Sequence, residues 1–389
     1  MKTLNKWIFC LYIIVTLTPI LSSSYIQMAL VVLWGLTIIP VFPYVEKDWK
    51  LFIFVWIVYA ILLRMIGFST AAWGNYGIYV LFYYPLFVFS IYRHILNDKE
   101  KHCMVNFILA VAMLNMLYNI YFLIRHPGAN QELNFSDMYA GCNLGNSGFT
   151  FVIMLILILY LFYALHGKIL YLLVVMAGGL YLVISSKTTA FLVFLIIAYI
   201  IFVERFAVKI KKEQRILIEC MGIVLPLVLY KPVLILLSHI ISNQYIVERL
   251  NALIVGDTSS TYLSRTGLAK ISFHTFLSHP VFGIGYVKAD FSKIDYVTTG
   301  IGHHSEFIDH LGRYGLVGGI AYIIIWYNYF KTFNSYSGTK EDHHVGIMIF
   351  IAFMIYSFLN NSMDAMSGIV IFYLVSAVAD GYFEKKKYY

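Results

Sequence analysis

Residues 147–165 read SGFTFVIMLILILYLFYAL, with no charged side chain anywhere in the run. A helix that is apolar on every side has to be buried in a core or in lipid. A run of about 19 residues is long enough to cross a hydrocarbon layer of about 30 Å. The next two runs, 168–185 and 187–204, follow almost without a break and are separated by a tight turn near Ser186-Lys187. Upstream lie 7–22, 26–44, 50–66, 75–92 and 103–124; downstream lie 214–237, 305–330, 344–360 and 364–382. Together they predict an all-α integral membrane protein, a single polytopic domain over 1–389 with about twelve transmembrane helices. Pro226 predicts a kink in the ninth, which membrane helices tolerate.

Composition points the same way. The chain is 60% hydrophobic and 12% charged, whereas a soluble domain carries about 25% charged residues. Its 32 Tyr, 30 Phe and 6 Trp suit a protein whose aromatic rings collect at membrane interfaces. The net charge of +8 raises the question of nucleic acid. The basic residues, however, sit in short clusters between apolar runs, which is the positive-inside pattern rather than a nucleic-acid face. Lys2/Lys6, Lys47/Lys50, Arg93/Lys99/Lys101, Lys168, the run from Arg205 to Arg215, Lys331/Lys340 and Lys385–Lys387 fall on one side, which is therefore the cytoplasm. Both termini are then cytoplasmic. Lys2 and Lys6 ahead of Trp7–Leu21 and Ser22–Ser24 have the form of a signal peptide, but the charge alternation works with this segment retained as the first span. Cys10, Cys103, Cys142 and Cys220 have no metal or redox spacing and read as small buried hydrophobes.

One connection departs from the short-loop pattern. Residues 238–304 form a large extracytoplasmic loop between the ninth and tenth spans, and a loop longer than about 15 residues is usually functional or disordered. This one is partly helical: Tyr262–Ser278 predicts a helix opened by Ser264 and closed by His279-Pro280, followed by a Gly283-Ile284-Gly285 turn. It is expected to be a small folded cap. A second outer segment, Arg125–Asn146, is polar enough to line a site.

The candidate chemistry lies where the loop re-enters the tenth span, from Gly302-His303-His304-Ser305-Glu306 through Asp309-His310-Leu311-Gly312-Arg313 to Gly315 and Gly318-Gly319. Ser305 is a suitable N-cap, and Glu306 and Asp309 stand in the first turn, where the helix dipole favours anions. The same dipole disfavours an imidazolium, so His304 just before the cap is expected to be neutral, as a general base must be. An interfacial His without chemistry has the same spacing. Glu306, Asp309 and Arg313 share one helix face, and Asp309 and Arg313 form an i, i+4 pair. In a straight helix Arg313 lies about 12 Å in from the start, either as a functional group or as part of a structural ion pair. Gly315, Gly318 and Gly319 offer a small-residue surface for close helix packing. Arg265 has a guanidinium that can grip a pyrophosphate in bidentate fashion, or can be a solvated loop residue. Lys187 is a rare outer-face cation whose alternative is interfacial snorkelling. Gly283-Ile284-Gly285 follows no strand, so it is not a nucleotide loop. His303, His304 and His310 lack a supporting carboxylate or Cys framework, and no metal site is expected.

On these residues the chain resembles the superfamily of O-antigen ligases and Wzy-type polysaccharide polymerases. Its signature of His, then Asn, Ser or Gln, nine residues, then Gly-x-x-Gly is met by His304-Ser305 and Gly315-Leu316-Val317-Gly318. The stretch from Ser264-Arg265 to His279-Pro280-Val281-Phe282-Gly283-Ile284-Gly285 is similar to the family's Arg…Pro-x-x-Gly-x-Gly segment. The specific similarity runs from Ser264 to Gly319, and the expected topology matches along the rest.

The resemblance implies a GT-C-like glycosyltransferase of the bacterial cytoplasmic membrane. It would join undecaprenyl-pyrophosphate-linked oligosaccharide repeat units at the outer face, with no metal or other cofactor. It implies His304 as the base for the acceptor hydroxyl, Arg265 on the donor pyrophosphate, and Lys187 in a place where the family usually has Arg. His303, Glu306, Asp309 and Arg313 would support them. The region from Glu306 to Gly315 is more similar to capsule and exopolysaccharide polymerases than to ligases. Implied partners are lipid-linked donor and acceptor, the bilayer, a flippase and a chain-length regulator, with no nucleic acid. A ligase that moves finished glycan to another acceptor is the alternative within the family. A lipid-linked oligosaccharide flippase or transporter is the alternative from another class, but such folds usually show repeats and midplane sites.

Overall fold

A computed structural model of the chain describes residues 2–18, 97–126, 147–165, 169–184, 188–207, 262–285, 300–302, 305–334 and 340–360, with isolated positions between them. All regular structure among the described residues is helical. The helices are α1 Lys2–Leu17, α2 Asp98–Arg125, α3 Ser147–Leu165, α4 Leu170–Ile184, α5 Thr188–Ala207, α6 Tyr262–Ser278, α7 Glu306–Asn334 and α8 Lys340–Leu359. Seven of them overlay runs read from the apolar pattern, and α6 is the helix expected inside the outer loop. The expected spans at 26–44, 50–66, 75–92, 214–237 and 364–382 lie outside the continuously described residues, as does the turn at Ser186-Lys187.

The centre of the fold is α3. Every residue from Phe151 to Leu159 is at most 1% exposed, because α3 packs against α2, α4, α5 and α8. A helix enclosed in this way can be apolar all round, which accounts for the unbroken run from which it was recognised. The Phe151 ring meets Phe353 and Tyr356 of α8 at centroid distances of 5.5 and 4.3 Å. At the periphery α1 lies on α2. The Asn97 side chain accepts from the Glu100 N–H at 2.9 Å, and the Glu100 carboxylate accepts from the Asn97 N–H at 3.1 Å, a capping box that starts α2. Lys6 pairs with the Glu100 carboxylate. This joins α1 and α2 near their N-terminal ends, where the charge pattern assigns Lys2, Lys6, Lys99 and Lys101 to one side.

Outward faces are also apolar. On α4, Leu173, Met176 and Leu180 are 63%, 64% and 58% exposed, at helical spacing along one stripe. On α7, Ile320, Ile323 and Tyr327 form another. Among the described residues one helical stretch, Lys99–Phe122, is by itself long and apolar enough to cross a membrane; the other apolar helices are shorter.

The tenth expected span is not one straight helix. Gly315 has φ 61° and ψ −159°, which breaks α7 into a short arm, 306–314, and a long arm, 316–334. The arms fold back on each other. The Phe307 ring meets Tyr322 at 5.1 Å, and His310 stacks on Tyr322 at 4.5 Å. In a straight helix, residues 307 and 322 would stand about 22 Å apart. Phe307 also reaches Phe358 near the end of α8, at 6.0 Å. Both arms are therefore level with the end of α8 near Phe307 and Tyr322, and the bend at Gly315 lies about 10 Å beyond that level. The expectation that Arg313 sits about 12 Å inward along a continuous span is thereby corrected. It lies at the far end of the short arm, beside the bend.

Candidate functional site

The break in α7 leaves backbone groups that a continuous helix would have paired with one another. The turn after α6 takes them up. Ile284 N–H donates to the Gly312 carbonyl at 3.3 Å and Gly285 N–H to the Arg313 carbonyl at 2.7 Å. In return Leu316 N–H donates to the Pro280 carbonyl at 2.8 Å and Val317 N–H to the Val281 carbonyl at 3.2 Å. Four bonds thus join residues 280–285 to residues 312–317, backbone to backbone. Such contact leaves no room for side chains. A Cβ on Gly283, which has φ 67°, would overlap the Arg313 carbonyl. A Cβ on Gly315 would lie 2.7 Å from Gly283 N, and the conformation of Gly315 belongs essentially to glycine alone. Gly315, read from sequence as a packing surface, is instead the breakpoint. The Gly283-Ile284-Gly285 turn, which has no strand before it, is its backbone partner.

The short arm carries four of the polar residues singled out from the sequence, and all four are buried: Glu306 at 2%, Asp309 at 1%, His310 at 3% and Arg313 at 2% exposure. They are covered by the long arm and by α6, which packs closely along α7. Ser305 occupies the N-cap position, since its carbonyl accepts from Asp309 N–H at 2.8 Å. The capping chemistry differs from the sequence expectation. The Ser305 hydroxyl is buried and makes no hydrogen bond among the described residues. Instead the Asp309 carboxylate reaches back to the Ser305 N–H at 3.0 Å. Its other oxygen accepts from the Ser272 hydroxyl of α6 at 2.6 Å, and Ser272 Oγ in turn accepts from Gly302 N–H at 2.8 Å. One turn along α6, the Thr275 hydroxyl donates to the Gly300 carbonyl. Segment 300–302 is thus stitched to α6 by two hydroxyls.

Sequence reasoning missed Ser272 and Thr275. Leu268, Ser272 and Thr275 stand at i, i+4 and i+7 on α6, a spacing that marks one face and could have drawn attention to them.

His303, His304 and Lys187 lie outside the described residues, and of Arg265 only the backbone, in the first described turn of α6, is described. The neighbours of the two histidines are fixed on both sides, at Gly302 and at Ser305. Among the described residues no group of three His, Cys, Asp or Glu side chains is placed to hold a metal ion. No protein-family model matches the chain, and a search of curated proteins finds no match either.

Proposed function

We propose that this chain is a membrane-embedded polysaccharide polymerase of about twelve spans, with residues 238–304 as an outer loop, that joins undecaprenyl-pyrophosphate-linked repeat units at the outer face of a bacterial cytoplasmic membrane. The observation that carries the reading is the joining of 280–285 to 312–317. The two glycine-bearing segments on which the resemblance rests lie far apart in sequence, yet each satisfies the other's backbone groups. A chance match to two short motifs gives no reason for them to meet. The exposed apolar stripes of α4 and α7 support a lipid setting, since soluble surfaces rarely leave such stripes bare.

In this reading a neutral His304 takes the proton from an acceptor hydroxyl. The hydroxyl oxygen attacks the anomeric carbon of the donor sugar with inversion, and the bond to undecaprenyl pyrophosphate breaks. Arg265 and Lys187 stabilise the negative charge that gathers on the leaving pyrophosphate. Asp309 of the buried short arm holds the Ser305 amide next to His304, and Glu306 and Arg313 support the site from the same arm. A ligase would use the same residues on a different acceptor.

The test is reconstitution in proteoliposomes with the producing strain's own lipid-linked repeat unit, read as a ladder of chain lengths. Wild type is expected to build ladders, while His304→Ala and Arg265→Ala each reduce them by at least about 100-fold, the lower end of the range for loss of a general base. Both variants should insert in the membrane at normal levels. Wild-type ladders from His304→Ala would remove the general base from this reading. Transfer of a single finished glycan to a second acceptor would show a ligase.

A further inference from the structure

The hydrogen bonds around Ser272 and Asp309 enclose a very short piece of chain. Gly302 N–H is held by Ser272 Oγ and Ser305 N–H by Asp309 Oδ2, and the two side chains are bonded to each other. Only His303 and His304 lie between the two held amides. Ser272 is 0% and Asp309 1% exposed, so water does not compete for these bonds. Gly302 is drawn so close to α6 that a Cβ there would overlap the Leu268 carbonyl, and Ile301 before it is fully buried. Gly312, one turn on from Asp309, lies against the Ser272 carbonyl, with 2.8 Å left for a Cβ. Helix α6, segment 300–302 and the short arm therefore converge at Ser272.

We infer that Ser272 and Asp309 are positioning residues: by holding the Gly302 and Ser305 amides they anchor, on both sides, the segment that carries His304. This rests on the reading of His304 as general base. Neither residue needs to touch substrate. Asp309 acts as a double acceptor: one oxygen takes the Ser305 amide, and the other takes the Ser272 hydroxyl, whose lone pair is then turned towards Gly302. Removing the Ser272 hydroxyl frees the Gly302 amide and leaves Asp309 one bond short, so both ends of the dipeptide loosen together. Misplacement by about 1 Å can cost about 100-fold in rate.

The experiment compares wild type, Ser272→Ala and Asp309→Asn as full chains in lipid nanodiscs, with readouts independent of activity. Amide hydrogen exchange by mass spectrometry is expected to show Gly302 and Ser305 exchanging at least about tenfold faster in Ser272→Ala, while Phe151–Leu159 of α3 stay protected. The rate of His304 carbethoxylation by diethyl pyrocarbonate should change in parallel. Asp309→Asn keeps size and one acceptor oxygen and should show a smaller change of the same kind. It also serves as the deciding variant if Ser272→Ala loses protection throughout.

In the ladder assay both variants should lower turnover about 10- to 100-fold with the apparent KM for the lipid-linked donor nearly unchanged, as expected for misaimed chemistry rather than lost binding. Unchanged exchange and unchanged His304 modification in both variants would overturn the inference whatever the ladders show. Loosened amides with wild-type ladder growth would overturn the positioning role. A wild type that makes no ladders, with both chemical readouts responding, would remove the polymerase reading and leave the hold on His303-His304 standing.

Discussion

Helix α3 is fully enclosed from Phe151 to Leu159, whereas the joint between 280–285 and 312–317 buries its glycines and leaves Val281, Phe282, Leu316 and Val317 exposed, and the two are held in different ways. From Phe151 to Leu159, α3 is gripped by the side chains of the helices around it. That grip depends on volume and apolarity, so the residues are interchangeable in kind, if not free of cost. The joint is held by four backbone bonds at points where two segments of the chain approach closely enough to exclude a Cβ. There identity matters more than hydrophobicity. One molecule thus contains a region specified by composition and a region specified by particular glycines.

The contrast can be tested by substitution, with stability measured by unfolding in detergent or by pulse proteolysis. Gly315→Val should have the largest effect, more than about 4 kcal/mol, because it combines a glycine-only conformation with loss of the paired backbone groups. A loss below about 1 kcal/mol would mean that the joint is not needed, against what its four bonds imply. Ile156→Ala in α3 should cost about 2–4 kcal/mol through the cavity it leaves. If it cost as much as Gly315→Val, the distinction between the two regions would fail. Gly267→Ala should have the smallest effect and the opposite sign, a gain of about 0.5–1 kcal/mol. Gly267 lies on α6, only a few residues from Ser272, yet a Cβ there meets nothing within 4 Å. A loss at Gly267 would show that the glycines of this region matter as a class rather than position by position.

What the sequence made legible follows the same division. The apolar runs disclosed α3, α4, α5 and α8 because a buried helix advertises itself by composition. Helix α6 was legible from its terminators, His279-Pro280, even inside a long loop. The fold-back of α7 was not. Gly-x-x-Gly reads equally well as a packing surface, and a break is favourable only when a distant segment supplies partners for the freed amides and carbonyls. Asp309 was visible as an acid near a helix start, but its grip on Ser305 N–H and Ser272 depends on where α6 lies. Ser272 is one serine among several in the loop helix, and its role comes from the tertiary contact alone.

The break at Gly315 also bears on how the protein is made. A continuous span can enter a bilayer alone, since its backbone is satisfied internally. In the proposed membrane setting the long arm of α7 differs at its Gly315 end, where the Leu316 and Val317 N–H groups are paired with Pro280 and Val281 rather than within the helix. Synthesis runs from the N-terminus, so residues 280–285 leave the ribosome roughly thirty residues before Gly315, within a few seconds at about 5–20 residues per second. The partner is waiting when the break emerges. If those bonds guide assembly, a chain nicked between 285 and 300 should still assemble, while one lacking 279–285 should not.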